Sequence, residues 1–99
     1  MKVALVQAAL VWENPVSNRA HFTNIFKGIP TDVDLIVLPE MFTTGFTMKP
    51  YKIDENEGKK TLEWMRSEAS KNNAAITGSI VFKENGAYFN RFVFVEPNG

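Results

Sequence analysis

Glu40 has the strongest case for chemistry in this sequence. It lies two residues beyond Leu38, the last residue of a short apolar run, Leu35 to Leu38, bounded by Asp34 and Pro39. If that run is an inner parallel strand, Glu40 stands where open α/β sheets bind ligands, beyond the carboxyl ends of the strands. Pro39 stiffens the exit from the strand and restricts where the next side chain can point. The segment that follows, Met41-Phe42-Thr43-Thr44-Gly45-Phe46, mixes aromatics, hydroxyls and a glycine. Such a mixture suits a small-molecule pocket. A carboxylate at the edge of a pocket loses water, which raises its pKa and makes it a usable general base. The same position also fits a solvated residue or the first-turn acid of a helix. Position alone leaves both readings open.

Other chemistries are restricted by composition. The 99 residues contain no cysteine, so a disulfide framework and a Cys-based zinc site are excluded. His21 is the only histidine and cannot build a His-rich metal site by itself. Eleven basic residues balance eleven acidic ones. That balance gives no electrostatic footprint for nucleic acid or an anionic membrane, and it does not oppose self-association. No apolar run approaches the roughly 20 residues needed to span a bilayer. Met1 to Ala9 is apolar but short, and Glu13 and Asn14 follow where a signal peptide would have a cleavage site. The expected location is the cytoplasm. A nucleotide-binding βαβ unit is a weak reading, because neither GxGxxG nor a P-loop lysine motif follows the first strand.

The elements that must position Glu40 can be read from periodicity. Lys2 to Ala9 contains the continuous apolar run Val3-Ala4-Leu5-Val6, which predicts a strand covered on both faces. Asn14-Pro15 reads as an N-cap and first helical position. The helix is expected to run to about Lys27, with Phe22, Ile25, Phe26 and Ile29 on one face and Gly28 and Pro30 ending it. His21 falls off that face and reads as a solvated side chain. Leu35 to Leu38 then completes a βαβ unit, which predicts parallel strands and a right-handed crossover. Met41 to Pro50 reads as a loop, and residues 54–60 as an exposed polar stretch. A second helix is expected from about Lys60 to Asn72, burying Leu62, Met65 and Ala69 with Trp64 on the border. Ala74 to Phe82 and Ala87 to Val95 read as strands joined at Glu84-Asn85-Gly86, where Asn-Gly supplies positive φ. Phe89, Phe92 and Phe94 read as core residues.

Four segments, in order, carry a family resemblance. Leu38-Pro39-Glu40-Met41-Phe42, with Thr43-Thr44-Gly45-Phe46 after it, resembles the glutamate motif of the nitrilase, or carbon–nitrogen hydrolase, superfamily. Lys2 to Ala8 resembles the first strand of that family, Gly78-Ser79 its third-strand signature, and Tyr88-Phe89-Asn90-Arg91 with Val93 to Gly99 the segment before its lysine motif. The wording LPEMFTTGF, together with Asn90-Arg91, is most similar to the omega-amidase branch. The resemblance covers essentially the whole chain.

What this resemblance implies is specific. The fold would be α/β, the N-terminal part of a four-layer α-β-β-α sandwich: a βαβ unit, then a helix and a β-hairpin. The family uses a glutamate, a lysine and a cysteine, forms a thioester, releases ammonia and requires no metal or other cofactor. Members usually form homo-oligomers. Omega-amidases cleave the terminal amide of short 2-oxo acids such as 2-oxoglutaramate. Only the glutamate carries over, onto Glu40. Phe46 would line the substrate pocket by the same resemblance, and otherwise reads as a plain packing aromatic. Asn90 resembles a structural asparagine of the family.

The sequence departs from the family in lacking the lysine motif and the cysteine. Without a nucleophile, covalent amide hydrolysis cannot proceed, so residues 1–99 alone are expected to be inactive. Glu96-Pro97-Asn98-Gly99 is a turn signal that introduces another strand. The expectation is therefore an N-terminal segment of one carbon–nitrogen hydrolase domain that continues beyond residue 99. The contrasting reading is a small non-enzymatic α/β module that binds or oligomerises.

Overall fold

The computed structural model describes residues 1–45 and 56–98. Its element order is β1 (Val3–Leu5), α1 (Pro15–Phe26), β2 (Leu35–Val37), α2 (Glu57–Asn72), β3 (Ala75–Glu84) and β4 (Ala87–Val95). The four strands form one sheet in the order β1-β2-β3-β4. β1, β2 and β3 are parallel, and β4 runs antiparallel to β3. The expected βαβ unit, second helix and hairpin are all present.

Local chemistry sets the element ends. Asn14 caps α1, its side chain accepting from the Ser17 N–H at 3.1 Å, and Pro15 opens the helix where its missing N–H costs nothing. Asn73 ends α2 in the left-handed conformation, φ 49°, with its N–H returned to the Ala69 and Ser70 carbonyls. Asn85 and Gly86 both have positive φ, 52° and 78°, between the paired residues Glu84 and Ala87. That is the two-residue turn whose twist matches a hairpin.

Residues Ala4, Ile36, Ile76 and Val95 stand side by side across the sheet. Both helices pack over this row. Phe22, Phe26, Met65, Ala69, Ile36, Ile76 and Ile80 form the centre of the core, each no more than 2% exposed. The helices meet through Phe26 stacked on Trp64, ring centroids 5.6 Å apart, and through Trp64 Nε1 donating to Thr23 Oγ1 at 2.8 Å. Arg19 adds a half-hidden link, donating to Glu57 at 2.6 Å and to Thr61 Oγ1 at 3.0 Å. One helical layer and one sheet layer result, the two that begin an α-β-β-α sandwich.

Three expectations need correction. The first strand is shorter than Lys2 to Ala9 and is not covered on both faces, since Leu5 is 75% exposed. Phe89, Phe92 and Phe94 are not core residues, at 50%, 72% and 57% exposure. For Phe92 and Phe94 the cause is the alternation of the pleat: Leu5, Val37, Thr77 and Phe94 form the adjacent row on the face away from the helices, whereas Phe89, paired with Phe82, shares the helix-side face but stands near the hairpin end of β4. Finally, α2 starts at Glu57 rather than Lys60, and Gly58 is buried against the Phe82 ring, where a Cβ would come within 2.6 Å.

Candidate functional site

β2 ends at Val37, and the Leu38 N–H still donates to the Thr77 carbonyl of β3 at 2.8 Å. The chain therefore leaves the sheet with its direction fixed. Glu40 lies just beyond, at the carboxyl end of an inner parallel strand, as the sequence predicts. Its residue is exposed. The enclosing pocket expected around it is not built by the described residues. Phe46 lies outside the described residues.

What the described residues do build is the support beneath Glu40. The next residue, Met41, has φ 47°, a left-handed conformation that costs a non-glycine residue about 1–2 kcal/mol. Its carbonyl accepts from the N–H groups of Thr44 (3.1 Å) and Gly45 (2.8 Å), so the backbone winds into a tight turn. Gly45 closes it at φ 75°, a conformation glycine adopts freely. Met41 itself is buried, as are Phe42, Thr43 and Thr44.

Three neighbouring elements grip this turn. From β3, Ser79 Oγ accepts the Met41 N–H at 2.8 Å, and the Ser79 carbonyl accepts the Phe42 N–H at 3.3 Å. From α1, the fully buried Asn18 donates its side-chain amide to the Thr43 carbonyl at 2.6 Å. The same side chain holds both polar groups of the Val11 backbone, accepting its N–H and donating to its carbonyl, each at 2.8 Å. From the β1–α1 connection, Glu13 N–H donates to the Thr44 carbonyl at 2.8 Å.

Packing completes the clamp. Phe42 is fully buried and meets Phe22 edge-on, with centroids 5.6 Å apart, and Trp64 at 5.7 Å. Gly78 makes this insertion possible, since a Cβ there would lie 3.0 Å from Phe42 Cδ1 and 3.1 Å from Leu38 Cβ. The backbone directly after Glu40 is thus held by rigid elements rather than left as a free loop.

Sequence reasoning singled out Glu40 and the Gly78-Ser79 pair but not Asn18. One signal was available: Asn18 precedes Phe22 by one helical turn, placing a polar side chain on the buried face of α1. His21 is exposed, as expected from its place off the apolar face. Asn90 is exposed on β4 and pairs with Val81 of β3. Among the described residues, no group of three or more His, Cys, Asp or Glu side chains could hold a metal ion. No helix among them is long and apolar enough to cross a membrane.

Comparison with known proteins places this arrangement. The carbon-nitrogen hydrolase family pattern matches residues 2–99. The omega-amidase YafV of Escherichia coli K12 is 39% identical over 99 residues, covering all of this chain and 38% of that protein. The omega-amidase YafV of Yersinia enterocolitica is 37% identical over 101 residues, with the same coverage of 38%. Among solved structures, XC1258 from Xanthomonas campestris, a CN-hydrolase superfamily protein with an arsenic adduct in its active site, superimposes with a TM-score of 0.88 at 33% identity. That match covers 97% of this chain and 36% of the other. A nitrilase-superfamily amidase from Nesterenkonia shares the fold at TM-score 0.85 and 15% identity, over 99% of this chain and 39% of that one. The chain thus spans 38% of the length of the curated relatives it matches.

Proposed function

The chain belongs to the carbon–nitrogen hydrolase family, and on that premise we propose that it is the N-terminal part of an omega-amidase-like amidohydrolase in which Glu40 is the general base. The observation that carries this reading is the clamped turn at the carboxyl end of β2. A left-handed Met41, directly after Glu40, is fixed from β3 while the rest of the turn is fixed from α1 and the β1–α1 connection. Strain of this kind concentrates where a side chain must be aimed.

The reaction needs a cysteine nucleophile, which residues 1–99 lack, and a lysine ammonium, a role this reading gives to none of their own lysines. The remaining length seen in the relatives would bring a cysteine and a lysine against Glu40. It would also cover the carboxylate, which is exposed in the segment described. Glu40 takes the thiol proton as sulfur attacks the amide carbonyl, and the lysine ammonium stabilises the tetrahedral oxyanion. The C–N bond breaks, the proton passes to nitrogen and ammonia leaves. Glu40 then takes a proton from water. The new C–O bond displaces sulfur from the thioester, giving a carboxylic acid and the free thiol. The substrate class is a terminal amide of a small carboxylic or 2-oxo acid. No metal enters this scheme. Assembly into a homo-oligomer belongs to the same proposal.

The test is ammonia release by the whole polypeptide that carries this segment, from 2-oxoglutaramate and from a panel of other small amides. Hydrolysis with preference for 2-oxoglutaramate supports the reading. Glu40→Gln should abolish nearly all turnover, since the amide side chain cannot accept the proton. Unchanged turnover in that variant, or no hydrolysis of any amide by the parent, would remove the proposal.

A further inference from the structure

We propose that Ser79 is a positioning residue for Glu40, acting through the backbone amide of Met41; the inference rests on the reading of Glu40 as the base. Ser79 lies on β3, beside β2, and is 4% exposed. It holds two successive amides immediately after Glu40: Met41 through its hydroxyl at 2.8 Å and Phe42 through its carbonyl at 3.3 Å. The carbonyl bond continues the sheet and would survive loss of the side chain. The hydroxyl bond would not.

The hydroxyl bond matters because of what Met41 is doing. At φ 47° its backbone is in a region that unbranched L residues leave when they can. The N–H of that peptide belongs to the unit that also contains the Glu40 carbonyl, so its orientation sets the Glu40 backbone and the exit vector of its side chain. Removing the Ser79 oxygen leaves the Met41 amide without its acceptor and lets this peptide plane turn. Downstream, Phe42 stays locked between Phe22 and Trp64, and Thr43 stays bonded to Asn18. The disturbance is therefore confined to Glu40 and its peptide, while the fold persists.

The experiment uses the whole polypeptide and the amide it hydrolyses best, comparing Ser79→Ala, Ser79→Thr and Glu40→Gln. Displacing a base by about 1 Å costs on the order of 100-fold in rate. Ser79→Ala should accordingly lower kcat by about 10- to 100-fold with KM nearly unchanged and a cooperative melt retained. Ser79→Thr keeps the acceptor and should restore kcat to within a few-fold of the parent. If Ser79→Ala fails to melt cooperatively, Ser79→Cys preserves side-chain size with a weak acceptor and carries the same test. Parental kcat in Ser79→Ala, or equal impairment of the alanine and threonine variants, overturns the positioning role while a disabled Glu40→Gln leaves the base assignment standing. Parental kcat in Glu40→Gln removes the premise instead.

Discussion

The side-chain amide of Asn18 reaches 2.6 Å to the carbonyl of Thr43, joining the first turn of α1 to the turn that follows Glu40. With its two bonds to Val11, Asn18 satisfies three backbone groups from one buried position. Asn18→Ala should therefore cost about 2–4 kcal/mol of folding free energy, because each abandoned buried group carries a desolvation penalty of roughly 1–3 kcal/mol and the three relax together. Asn18→Asp should cost more, since a carboxylate would face the Val11 and Thr43 carbonyls with no hydrogen to offer. Denaturant unfolding of the two variants beside the parent checks the order. Equal stability of all three would show that these bonds are dispensable.

Gly78 faces the same turn from the sheet. An added methyl group would sit 3.0 Å from the Phe42 ring and 3.1 Å from Leu38 Cβ, tighter than ordinary contact. Neither neighbour can retreat easily, because Phe42 is wedged against Phe22 and Trp64. Gly78→Ala should destabilise by about 1–3 kcal/mol, the usual cost of overpacking. Moving the Phe42 backbone should also lower amide turnover in the whole polypeptide. Thermal melts and kinetics on one preparation separate the two effects.

How much of this was legible in the sequence follows from the range of each signal. Asn14-Pro15 and Asn85-Gly86 act within a few residues, so the start of α1 and the hairpin turn could be read directly. The position of Glu40 just past β2 could be read because the strand is apolar and Pro39 follows two residues after its end. The start of α2 was read late because the charged, polar stretch around Gly58 reads as an exposed connection, although Asn56 stands at the N-cap position before Glu57. The outward turn of Phe92 and Phe94 was not legible, since β4 carries apolar residues on both faces and only its register with β3 decides which are covered. Asn18, Ser79 and the left-handed Met41 depend on partners 25 to 38 residues away or on the turn they enforce. Pattern reading could place Asn18 on the buried face of α1 and single out Gly78-Ser79, but it carries no information on which backbone groups they hold.

The hairpin turn gives a local test of backbone chemistry. Asn85 holds φ 52° with its side chain at the surface, and Gly86 holds φ 78° in open space. Asn85→Ala should destabilise by about 1 kcal/mol, because alanine enters the left-handed region less readily than asparagine. Asn85→Gly should be nearly neutral, or mildly stabilising. A loss of stability in the glycine variant as large as in the alanine one would mean that the Asn85 side chain, not its backbone preference, secures the turn.

The face of the sheet turned away from the helices predicts how residues 1–99 behave alone. Val3, Leu5, Phe92 and Phe94 lie on it, 48%, 75%, 72% and 57% exposed. All four are on β1 and β4, the two edge strands of the described sheet. Each large apolar side chain gains roughly 1.5–3 kcal/mol on full burial, which favours any partner that covers the face. Formal net charge is zero, so repulsion between copies does not oppose the contact. The isolated segment should therefore associate with itself in sedimentation velocity at micromolar concentration. Phe92→Lys combined with Phe94→Lys should shift it toward monomer while far-UV circular dichroism stays unchanged, because neither ring is part of the core under the helices. In the whole polypeptide the same pair of lysines should be strongly destabilising, if the remaining chain packs on this face as the α-β-β-α arrangement requires. A monomeric parent segment with a cooperative melt would show that this face is stable in water and needs no cover.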